Sequence, residues 1–136
     1  TLRKAERRGV RVRFITPEIN NKPFVQSYAL WDAVRSGFEV SLYQGRMSHL
    51  KALLIDEKTL ILGSINYDFT SYAFQQEIAV IFRDRALIGH FRETVLEDEL
   101  ARSRPYTGKP DAVRGFLLYQ GLRLAGGCFA LLNRWL

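Results

Sequence analysis

An α/β domain of alternating helices and strands, followed by a separate amphipathic helix, is the fold class that the sequence predicts. Three observations predict it. A charged helical stub, Leu2 to Arg8, stops at Gly9 and feeds directly into the strand pattern Val10 to Ile15, which is half of a βαβ unit. Strand-like and helix-like periodicities then alternate as far as Ala101. Beyond a loop-like stretch with two prolines and a glycine, Ser103 to Asp111, the segment Ala112 to Leu136 carries a single helical stripe.

Taken in order, Val10 to Ile15 alternates apolar and basic residues before turning fully apolar, as a strand does. Pro17 to Pro23 has loop composition. Phe24 to Ser36 is predicted helical, with Phe24, Tyr28, Trp31 and Val34 near helical spacing and Gly37 as the stop. Phe38 to Tyr43, Ser48 to Asp56 and Thr59 to Leu62 are predicted strands, the last two joined by a tight turn at Glu57-Lys58. Glu77 to Phe82 is predicted as a buried strand. Asp84 is placed to cap a helix running to about Ala101, with Ile88, Phe91 and Val95 on one face. The chain is expected to comprise an α/β domain over 1–102, a linker over 103–111 and the final helix over 112–136.

Composition narrows the function. Hydrophobic residues make up 47% of the chain, which excludes a disordered segment. The net charge of +6 points toward phosphates, on nucleic acid or on a membrane surface. That charge sits at the ends: residues 1–13 carry six Arg/Lys against Glu6, residues 101–136 carry six against Asp111, and the middle nets −4. The single cysteine, Cys128, allows no internal disulfide and reads as a small apolar helix residue. The first residues lack the apolar core of a signal peptide, and they read as the last turns of a helix in a longer polypeptide.

The chemistry concentrates between residues 49 and 66. His49 and Lys51 are two apart, so on a strand they share one face. Asp56 follows at the strand end; Gly63 would let the chain approach a bound group closely, and Ser64 and Asn66 add uncharged donors. A phosphodiester needs this set. It is anionic and repels nucleophiles, so Lys51 would neutralise its non-bridging oxygens while neutral donors hold it. A neutral imidazole can attack phosphorus, and a protonated one can give a proton to the leaving oxygen. No metal-ligand cluster is visible, and neither metal nor cofactor is expected. Six residues at fixed spacing would coincide by chance in roughly one chain in a million, at about 5% per residue type. Asp56 by itself, before a β-turn, reads equally well as structural.

His49-x-Lys51, Asp56 and Gly63-Ser64-x-Asn66 together resemble the HKD motif of the phospholipase D superfamily, and the resemblance runs from about Leu2 to about Ala101. It implies an α/β sandwich around a mixed β-sheet flanked by helices. It also implies that Glu77, on the strand after the motif, binds the other nitrogen of the histidine, fixing its tautomer. The family joins two HKD motifs across a pseudo-twofold axis, one histidine attacking and the other acting as acid. This chain holds one motif, since His90 has no lysine two residues on. The resemblance therefore implies a partner: a second HKD half, from the same longer polypeptide or from a second copy.

Around the motif, Asn66-x-Asp68, Ser71, Glu77, the Pro17 loop and the Trp31 helix are most similar to the bacterial cardiolipin synthase branch. Thr70 and Gln75 depart from it, where that branch has Arg and Asn, and Gly45 to His49 is one residue longer. The branch implies phospholipid as substrate and a place at the cytoplasmic face of the membrane. The final segment fits this independently. Leu118, Leu122, Ala125, Phe129, Leu132 and Leu136 form one stripe opposite Gln120, Arg123 and Arg134, suited to a bilayer interface or to the protein's own core. A charge in mid-segment, Arg123, argues against spanning, at a cost of about 3 kcal/mol. The alternative is a phospholipase D-type nuclease acting as a homodimer, in which the apolar tail has no use; nucleic acid is the less favoured partner.

Overall fold

The computed structural model of the chain describes residues 1–66, 76–109, 115–118, 120, 121 and 124. The expected α/β class holds: two three-stranded sheets, one mixed and one antiparallel, are flanked by helices. The chain divides into two compact units, residues 1–47 with 102–136, and residues 48–101.

In the first unit, α1 (Leu2–Glu6) is followed by β1 (Arg13–Pro17), α2 (Pro23–Arg35), β2 (Glu39–Tyr43) and, after the second unit, β6 (Ser103–Pro105). β1 and β2 pair in parallel from Arg13↔Glu39 to Pro17↔Tyr43, with α2 as the crossover. The strand expected from Val10 starts only at Arg13. Pairing begins where Glu39 N donates to Val12 O, and β2 offers residues 10 and 11 no partner. α2 opens on Pro23, which is preset for a first helical position, and ends before Gly37 at φ +78°. Of its expected apolar face only Trp31 is buried, together with Ala33; Phe24 and Val34 face solvent. Trp31 lies among Val40, Leu42 and Tyr43 in the buried set of this unit, with the Arg35 guanidinium 5.1 Å from its ring centroid.

Residues 103–105, expected as linker, pair antiparallel with β2. Arg104 there bonds Glu18, just past β1, and Gln44 donates to the same carboxylate at 3.1 Å. The arginine and then the amide hold the Glu18 carboxyl below its ordinary range. Residues 115–118, 120, 121 and 124 are helical. Gly115 is buried against Trp31; a Cβ there would sit 2.4 Å from the indole Cγ.

The second unit is a meander, β3 (Ala52–Ile55), β4 (Thr59–Gly63) and β5 (Ala79–Phe82), followed by α3 (Arg85–Phe91), a π-helical turn (Arg92–Leu96) and α4 (Glu97–Ala101). The hairpin turn falls on Asp56-Glu57, one residue earlier than expected. Both take positive φ, +51° and +52°, and Lys58 N closes the turn on Ile55 O at 3.0 Å; Lys58 completes the loop between the paired Ile55 and Thr59. Cross-strand partners Leu54, Leu60 and Phe82, and then Ala52 and Leu62, form the face that packs on Ile88, Phe91, Val95 and Leu96. The Asp84 carboxylate caps α3 as expected, accepting from Leu87 N at 2.8 Å. Val95 and Leu96, both in the π turn, pack against the core. β5, expected to be buried, is largely exposed: Val80 at 48% and Ile81 at 53%. It is an edge strand of its sheet, and of its residues Phe82 packs against the core.

Candidate active site

His49 and Lys51 precede β3 rather than lying within it. The ladder begins at Lys51, whose carbonyl accepts from Gly63 N at 3.2 Å. Strand alternation then sorts the side chains. Ala52 and Leu54 face the helices, so Lys51 belongs to the opposite face with Leu53 and Ile55, and His49 lies two residues before it, outside the ladder. The Lys51 ammonium curls back to donate to His49 O at 2.8 Å, which keeps the cation beside the histidine backbone. His49 itself is exposed.

Because Lys51 pairs opposite Gly63, the residues just after β4 arrive at the same end of the sheet. Ser64 is tied there three ways: its amide donates to Ile78 O at 2.9 Å, its hydroxyl accepts from Ile78 N at 3.1 Å, and the same hydroxyl donates to the Glu77 carboxylate at 2.5 Å. Glu77, expected against the histidine, is thus held by Ser64. Asn66 follows two residues on, half-buried. Lys51, Ser64 and Glu77 are thus held at one sheet end, with His49 two residues before Lys51 and Asn66 two residues after Ser64.

Asp56 is not among them. It stands at the hairpin turn, five residues along from Lys51, about 17 Å at the rise of a strand. A cavity of about 360 Å³ opens there, lined by Asp56, Glu57, Lys58, Arg85 and Arg92 and by no residue of the His49–Lys51 end. Arg92 bonds Glu57 at 3.0 Å and ties that turn to the helix.

Gly63 has a packing reason of its own. An added Cβ would lie 2.1 Å from Ile78 O and 2.8 Å from Ala79 Cα, so the glycine is what lets β5 approach β4. Gly63→Ala is expected to cost about 2 kcal/mol, typical of overpacking, and to loosen Ser64 from Glu77. Urea unfolding of the variant checks the first effect, and a stability within about 0.5 kcal/mol of the parent would contradict the collision.

Sequence reasoning missed Ser48. Its hydroxyl donates to Glu99 Oε1 on α4 at 2.9 Å. A serine immediately before the histidine was the only signal available, and its partner is 51 residues away. Asp68, Thr70, Ser71 and Gln75 lie outside the described residues. Among the described residues, no group of three or more His, Cys, Asp or Glu is placed to hold a metal ion.

Comparison with known proteins shows the family. A family model described as "Cardiolipin synthase, PLD-like domain" matches residues 1–98. Cardiolipin synthase A of Pseudomonas aeruginosa is 34% identical over 128 residues, covering 91% of this chain and 26% of the relative. A probable cardiolipin synthase of Bacillus subtilis is 34% identical over 106 residues, covering 72% of this chain and 21% of the relative. The chain thus spans about a quarter of the length of the curated relatives it matches. The crystal structure of the phospholipase D family member Nuc from Salmonella typhimurium shares the fold, with a TM-score of 0.62 at 23% identity over 79% of this chain and 71% of that one. The family match spans both the helix–strand start and the His49–Asn66 constellation, and the chain belongs to the phospholipase D-like family of cardiolipin synthase domains.

Proposed function

We propose that this chain supplies one half of an active site that cleaves a phospholipid phosphodiester and transfers the phosphatidyl group. The observation that carries this reading is the convergence of His49, Lys51, Ser64 and Asn66 on one end of the β3–β4–β5 sheet, with Lys51 and Gly63 directly paired. Lys51 neutralises the non-bridging oxygens, and Ser64 and Asn66 add neutral donors where charge builds up. His49 acts at the phosphorus, paired with the histidine of a second HKD half, one attacking and the other protonating the leaving oxygen. Glu77 is the carboxylate to which the imidazole donates, and it also fixes Ser64. Asp56, remote at the turn, takes a supporting part by closing the β3–β4 hairpin.

The proposed location is the membrane surface. The relatives named above are cardiolipin synthases. Among the described residues no helix is long and apolar enough to cross a membrane. The described part of the final segment leaves Phe116, Leu117 and Leu124 exposed, which suits an interfacial helix with basic neighbours. Phosphatidylglycerol vesicles incubated with the complete two-motif enzyme and resolved by thin-layer chromatography test the reading. A diphosphatidyl product with released glycerol is expected. Unchanged lipid alongside cleaved DNA would replace the proposal with the nuclease reading.

A further inference from the structure

We infer that Ser48 and Glu99 form a positioning anchor that sets the His49 imidazole for reaction, an inference that rests on the phosphodiester reading above. Residues 47–50 have no strand pairing of their own, so the ladder, which begins at Lys51, does not fix the segment that carries His49. Ser48 supplies what the ladder lacks. Its side chain reaches the helix that carries Glu99. Its hydroxyl donates to Glu99 Oε1 at 2.9 Å and accepts, at 3.4 Å, from Leu50 N, so one oxygen staples the backbone on both sides of His49. On the far side, Lys51 Nζ holds His49 O at 2.8 Å.

Glu99 is where this anchor has to be. It lies four residues beyond Val95 and three beyond Leu96, so it prolongs the sheet-facing stripe of the helix by one turn. A half-buried carboxylate on an apolar stripe requires a donor, and Ser48 is one. The π turn at Arg92–Leu96 sets the rotation of everything after it, Glu99 included; such wide turns recur at functional sites. Neither residue touches the reacting phosphorus; both act through His49.

The test uses bis(p-nitrophenyl) phosphate as a soluble phosphodiester with the complete two-motif enzyme. Misplacing a reacting group by about 1 Å costs up to about a hundredfold, so Ser48→Ala and Glu99→Ala are each expected to lower kcat by about ten- to a hundredfold. KM should stay within about twofold. Glu99→Gln keeps an acceptor for the hydroxyl and should recover most of the rate, and the double alanine variant should fall no further than either single one. Parental kcat in Ser48→Ala, losses that multiply in the double variant, or a Glu99→Gln rate as low as Glu99→Ala would each overturn the anchor. Absence of turnover in the parent would count against the phosphodiester reading instead. Amide exchange then decides the anchor alone: Leu50 N–H should exchange faster in both alanine variants, and unchanged exchange would overturn it.

Discussion

Replacing His49 with alanine is expected to lower turnover by about 10³-fold while leaving the fold intact. Loss of a positioned proton-transfer group alone costs about 10² to 10⁴, and loss of a nucleophile leaves no covalent route at all. Both roles available to His49 therefore give a large effect, whichever half attacks. Stability should hardly move. His49 is exposed and outside the ladder, and the bonds around it use backbone and neighbouring groups: Lys51 Nζ to His49 O, and Ser48 Oγ with Leu50 N. An alanine keeps all of these, so a melting curve within about 0.5 kcal/mol of the parent is expected. Product formation from phosphatidylglycerol, measured beside that melting curve, separates a chemical defect from a folding one. Turnover within tenfold of the parent would remove His49 from the mechanism.

The motif was legible because its information is local: residue types at fixed separations, with Gly63 setting where Ser64 and Asn66 fall. What the residues do for the fold was less legible. Gly63 reads from sequence as room for a ligand, and the close approach of Ile78 O and Ala79 Cα, which also needs that room, is not visible there. Asp56 reads as a carboxylate following the catalytic strand, yet the positive φ at both Asp56 and Glu57 makes it a turn residue far from Lys51. β5 reads as buried because it is wholly apolar, but periodicity cannot tell an edge strand from a central one, and that depends on the other strands. The bond from Ser48 to Glu99 depends on how a π turn rotates the end of a helix, and no spacing rule covers that.

The largest effect on stability is expected at Leu60. It is the centre of the cross-strand row Leu54–Leu60–Phe82, has 0% exposure, and packs under Ile88 and Phe91. Truncation to alanine removes the buried methyl groups and leaves a void that a three-stranded sheet under one helical layer cannot readily fill. Such changes cost about 2–5 kcal/mol, and about 3 is expected here. At roughly 0.05–0.15 kcal/mol per residue, a unit spanning residues 48–101 has only a few kcal/mol to lose. Ile55→Ala, on the same hairpin but 43% exposed, is the control and should cost about 1 kcal/mol or less. Denaturant midpoints of the two variants distinguish burial from strand propensity: equal shifts would mean that Leu60 is not the keystone of this core. The consequence reaches the site through the ladder. Lys51 O is held by Gly63 N, and Gly63 is held in place by the β4 residues that Leu60 anchors. Loosening that packing should therefore release Lys51 and Ser64 from their common end of the sheet before the whole unit unfolds.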